Sequence, residues 1–153
     1  MAKKRKTWVW MPPIPKQPKP AVPDHLREDI TSKANELVEK HLKPEHIKPP
    51  PTNSEMNYIV DIWTRWYRSY FYFCATYACP GPNALSPTFE IRFARMAYLG
   101  NERFNLAYMR YAGNWNEIYY DLSIEECLKA IRDEPHFLPQ ETNGTNSDVG
   151  SHS

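Results

Sequence analysis

One stretch limits what this chain can fold into more than any other: Tyr58 to Tyr77, YIVDIWTRWYRSYFYFCATY. Nine of its twenty residues are Phe, Trp or Tyr. Aromatic and β-branched residues at this density, broken only by Arg68-Ser69, predict a β-hairpin. With the turn centred on Arg68-Ser69, Trp66 pairs with Phe71, Thr64 with Phe73, Ile62 with Ala75 and Val60 with Tyr77. These form one nearly apolar face. The opposite face carries Asp61, Trp63, Arg65 and Tyr67 beside Tyr70, Tyr72, Cys74 and Thr76. Because the side-chain period is two, a one-residue slip would exchange the faces of one strand. Burial of one aromatic side chain contributes about 1.5–3 kcal/mol, so the apolar face is enough to seed a core.

The rest of the chain supplies partners for that hairpin. Phe89–Leu99, Arg103–Arg110 and Trp115–Tyr120 alternate as strands. Gly100-Asn101 and Gly113-Asn114 tolerate the positive φ of hairpin turns between them. Asp24 to Leu42 reads as a helix: Leu26, Ile30, Ala34, Leu37, Val38 and Leu42 share one face, Asp24 stands at the N-cap and Pro44 stops it. A second helix starts at Ser123, which forms a capping box with Glu126 and carries the stripe Ile124, Cys127, Leu128, Ile131. The expected fold class is α+β: an antiparallel meander sheet of about five strands with an N-terminal helix and a short C-terminal helix.

Residues 1–22 form a basic, Pro-rich arm expected to be disordered, 23–139 a single domain, and 140–153 a polar tail expected to be disordered. The formal net charge is only +1, but it is unevenly spread. The arm has six Lys and Arg and no acid, whereas residues 23–139 carry 13 basic and 16 acidic side chains. No run of 18 apolar residues and no apolar signal region is present, so neither a membrane span nor secretion is expected. Three cysteines, Cys74, Cys79 and Cys127, fit a reducing, cytoplasmic setting better than a disulfide scaffold.

No nucleophile, phosphate-loop or metal signature occurs. Cys74 and Cys79 are five apart with no second Cys/His pair, and no two histidines bracket a glutamate at helical spacing, so neither a metal site nor a cofactor is expected. Two features do have binding chemistry. Lys3, Lys4, Arg5 and Lys6 precede Trp8 and Trp10, a cationic patch beside stacking side chains; a solubilising tail whose tryptophans pack on the body is the simpler alternative. From Thr52 to Leu128 every basic residue is Arg, and arginine gives planar, bidentate contacts to phosphates and stacks on rings. Asp61, Trp63, Arg65, Tyr70 and Tyr72 are therefore candidate binding residues, unless a helix covers their face.

Asn57-Tyr58 through Tyr72-Phe73-Cys74, CPGPNALSPTFE at 79–90, RFNLAYMR at 103–110 and IYYDLSIEECL at 118–128 together resemble an uncharacterised bacterial family built on a domain of unknown function. The likeness covers about residues 50–139, and extends to the first helix and the KKRKTWVW opening. It implies a single domain and bacterial origin, and no particular activity, ligand or cofactor. Three functions stay open: a non-catalytic module that contacts nucleic acid through the arm and the Arg/aromatic face, a protein-interaction module or homodimer, and an enzyme whose site is hidden from spacing.

Overall fold

The computed structural model describes residues 20–50, 52, 56–111 and 113–139. The arm residues Lys3, Lys4, Arg5, Lys6, Trp8 and Trp10 and the tail from residue 140 lie outside them. The elements run α1 (Asp24–Leu37), a π-helical turn (Val38–Leu42), α2 (Lys43–His46), β1 (Tyr58–Tyr67), β2 (Tyr70–Ala78), β3 (Thr88–Gly100), β4 (Arg103–Tyr111), β5 (Asn114–Leu122), α3 (Ile124–Asp133) and a 3₁₀ turn (Pro135–Phe137). The five strands are antiparallel and ordered β1-β2-β3-β4-β5. The expected α+β meander is what the chain forms. Among the described residues, no helix is long and apolar enough to cross a membrane.

α1 and α3 both pack on one face of the sheet. Leu26, Ile30, Ala34 and Leu37 from α1, and Ile124, Cys127, Ala130 and Ile131 from α3, join Ile62, Phe71, Phe73, Ala75, Met96, Phe104 and Leu106 in a single core. Side-chain bonds tie α1 to β1: Trp66 Nε1 donates to Thr31 Oγ1 at 3.0 Å and Thr64 Oγ1 to Asn35 Oδ1 at 2.9 Å. Ser123 and Glu126 form the expected capping box and open α3. Phe71 meets Trp66 and Phe73 with centroids 4.9 and 5.4 Å apart, tilted and edge-on respectively, arrangements the ring quadrupole favours.

The first helix departs from expectation at both ends. Pro23, not Asp24, occupies the N-cap, and it offers no side-chain cap. The helical path does not stop before Pro44. Val38–Leu42 widens to a π turn, with the Lys43 N–H donating to Val38 O, and a short α segment continues through Pro44 to His46. A proline ring clashes with the carbonyl four residues back and lacks a donor. The wider turn moves that carbonyl, and Pro44 falls in the first turn of the new segment, where a missing N–H costs little.

The hairpin register holds from Asp61 to Tyr67: Trp66↔Phe71, Thr64↔Phe73 and Ile62↔Ala75. It fails at Val60. A bulge between Ile59 and Asp61 pairs Ile59 with Tyr77, so Ile59 is buried (5% exposed) and Val60 is turned out (40% exposed). A bulge inserts one residue and inverts the alternation beyond it. Arg68 takes φ 56° in the turn. Arg27 Nη2 donates to the Arg68 carbonyl at 3.0 Å while its guanidinium carbon lies 4.8 Å from the Trp66 ring centroid, which fastens the turn to α1.

Candidate functional site

The pairing of β1 through β5 lays the second sheet face out in rows. One row reads Arg65–Tyr72–Arg95–Ala107–Glu117, and the next Trp63–Cys74–Arg92. On one side lie Tyr67–Tyr70–Ala97–Asn105, and on the other Asp61–Thr76–Glu90. Among the described residues no helix lies over these rows, since α1 and α3 both belong to the opposite core. Sequence reasoning placed Asp61, Trp63, Arg65, Tyr70 and Tyr72 on one face, and the structure brings them there together.

The face is nonetheless not a bare platform, because its own side chains cover its centre. The Arg95 guanidinium carbon sits 4.9 Å from the centroids of both Tyr70 and Trp115, and Arg92 is 4.9 Å from Tyr72. Trp115 reaches across from β5 to within 5.7 Å of the Tyr72 ring. The fully buried Ala107, between Arg95 and Glu117 in its row, adds little bulk on β4. Tyr72 is left only 6% exposed and offers no open ring. Trp63 and Tyr70 are half-buried, Tyr67 and Arg65 exposed. Trp63 Nε1 donates to Thr76 Oγ1 at 2.9 Å, which fixes its indole across β2. Asp61 is engaged at the sheet edge: its carboxylate accepts from the Ile62 N–H at 2.9 Å and lies 3.3 Å from Lys43 Nζ.

Cations outnumber carboxylates at the centre of the face. Three guanidiniums, Arg65, Arg92 and Arg95, share the two middle rows with one carboxylate, Glu117. Arg95 Nη2 lies 3.6 Å from Glu117 Oε2, and its buried Nε has no hydrogen-bond partner among the described residues. Arg65 and Arg92 form no ion pair among the described residues. Glu117 stands across from Ala107 and meets Arg95. Cys74 lies buried beneath Arg92 and Arg65. Burial pushes its thiol up to about 11 against the downward pull of those two cations. Burial raises Cys79 as well, and takes Cys127 up to about 12. All three stay protonated near neutral pH, when a nucleophilic cysteine would be a thiolate. Among the described residues, no group of three His, Cys, Asp or Glu is placed to hold a metal ion.

Three contributors, Arg92, Arg95 and Trp115, were not singled out together from the sequence. Arg92 and Arg95 are three apart, so a regular strand would send them to opposite faces. A bulge pairs Phe73 with Ala94 but Cys74 with Arg92, makes Phe93 the extra residue, and sends Phe93 and Ala94 both into the core. The two arginines thereby share a face. The sequence signal is faint: two adjacent small or apolar residues between arginines in an otherwise alternating strand.

A five-stranded antiparallel meander, helices on one face and an arginine–aromatic lattice on the other, defines an α+β domain with an open sheet face. The chain belongs to the family described as Domain of unknown function (DUF3024), which matches it over residues 22–139. No curated protein and no solved structure matches the chain significantly.

Proposed function

We propose that this protein is a small non-catalytic binding module that contacts nucleic acid through its basic arm and the arginine–aromatic sheet face. The observation that carries this reading is the pair Arg65 and Arg92, exposed beside aromatic rings on a face no described helix covers, with no described carboxylate paired to either. Guanidiniums left free of carboxylates keep their planar donors available for phosphate oxygens. The first described residue, Pro20, lies at one end of the sheet. The chain enters the body at Pro20, against Gly100 in the β3–β4 turn, and the Tyr98 N–H donates to Ser69 O at 3.0 Å, so that turn shares a sheet end with the β1–β2 turn.

The test is oligonucleotide binding as a function of salt. Affinity is expected to fall steeply between about 50 and 200 mM salt, and removal of residues 1–10 is expected to weaken binding and flatten the slope. Binding that ignores salt, or none at low salt, would sink this reading. Tyr67 and Leu99, exposed at one end of the sheet, favour a second reading, a protein-interaction or dimerisation surface; a mass that rises with concentration in light scattering distinguishes it.

A further inference from the structure

Within that reading, on which this inference rests, we infer that the ligand is a single strand, and that it runs along β1 with bases stacked on Trp63 and Tyr67 and a phosphate between them at Arg65. These three residues occupy alternate positions of one strand, so they point to the same face about 6.8 Å apart. Trp63 and Tyr67 are then about 14 Å apart, more than one nucleotide of an extended strand spans, so the rings take non-adjacent bases and the backbone between them passes Arg65. Each member is suited to its place. The Trp63 indole is held by its bond to Thr76, so stacking on it requires no ordering of a free rotor. Tyr67 is 48% exposed, the most open ring of the lattice. Arg65 is exposed and shares its row with the covered Tyr72 and Arg95.

The charge around the track gives it a closed and an open end. One row beyond Trp63 stand Asp61, paired with Lys43 at 3.3 Å, and Glu90, whose carboxylate repels a phosphate. Past Tyr67 lies the turn, where the Arg68 guanidinium carbon is 5.2 Å from the Tyr67 centroid and adds a cation. A strand therefore meets acid at one end and cation at the other. A duplex hides its base faces in its stack and can use only the phosphate-directed arginines, so the two rings discriminate strand from duplex and the arginines do not.

Fluorescence anisotropy with the full chain tests this, using labelled oligothymidine of roughly a dozen nucleotides and a blunt duplex of the same length. The single strand is expected to bind more tightly than the duplex. Tyr67→Ala and Trp63→Leu are each expected to weaken strand binding about tenfold or more and to leave duplex binding unchanged. Circular dichroism establishes that both variants fold, and the exposed Tyr67 keeps the test valid if Trp63→Leu does not. Equal affinity for strand and duplex overturns the track while the proposed function stands. So does strand binding that survives both ring substitutions but is abolished by Arg65→Glu. No oligonucleotide binding at low salt overturns both, and a dimer held together by this face under the same conditions assigns it to a second copy.

Discussion

Alternation along β1 makes Val60 a core residue and Ile59 a surface one; the bulge reverses them, and the reversal can be measured. Ile59→Ala removes three carbons from a site 5% exposed and packed in the main core. At about 0.8 kcal/mol per buried methylene, the transfer loss is about 2.4 kcal/mol. A residual cavity raises it to about 3, within the usual range for Ile→Ala. Val60→Ala removes two carbons from a side chain 40% exposed, a loss of at most about 1 kcal/mol on the same scale. The expected gap is about 2 kcal/mol. With a urea dependence of about 1.5 kcal/mol per molar, this separates the two midpoints by about 1.3 M. Equilibrium urea unfolding followed by tryptophan fluorescence and by far-ultraviolet circular dichroism reads the gap, and the two probes together check two-state behaviour. If Val60→Ala destabilises as much as Ile59→Ala, or more, the bulge is misplaced and the core assignment at this end of the sheet fails with it.

Two further outcomes follow from the titrating groups. Of the three thiols, half-exposed Cys79 is expected to react first with a chromogenic disulfide reagent at neutral pH, whereas Cys74 and Cys127, buried and raised to about 11 and about 12, react only when the protein unfolds; three equally fast thiols contradict the buried placements. Hydrogen bonds from Arg132 and then Lys129 hold Asp133 down at about 2, and a hydrogen bond from Lys33 lowers Glu125. Both folded values lie below the unfolded ones, so their contribution is present above about pH 4.5 and is lost as pH falls toward about 2. Carboxyl-carbon NMR titration is expected to find Asp133 depressed and to return it toward 3.8 in Arg132→Gln, and an ordinary value in the unaltered protein refutes the pairing.

Most of the architecture was legible because it rests on local rules. The hairpin turn, the Asp61–Tyr67 register, the capping box at Ser123 and the α3 stripe each depend on residues within a few positions of one another. The misreadings share a physical origin. Val60 is placed in the core by carrying the period past a bulge, and Pro44 reads as a stop because a regular α-helix cannot carry it, whereas a π turn with an inserted residue can. Bulges and π turns are insertions whose cost is repaid by packing elsewhere, as Ile59 repays it in the core, and that packing lies far away in sequence. The same holds for the candidate site. Asp61, Trp63, Arg65, Tyr70 and Tyr72 could be grouped from alternation within one hairpin. Arg92, Arg95 and Trp115 could not, since they arrive through a bulge in β3 and a reach across two strands.

The sequence by itself determined that the aromatic stretch would make a two-faced hairpin at the heart of an α+β meander, because side-chain period and turn chemistry act over neighbouring residues. Whether the second face was core or surface was left to the tertiary structure, because the answer depends on where both helices dock. They dock together on the face led by Ile62, Phe71 and Phe73. The other face is left to three guanidiniums and the rings that hold two of them, with Arg65 and Arg92 turned to solvent and Tyr72 sealed beneath.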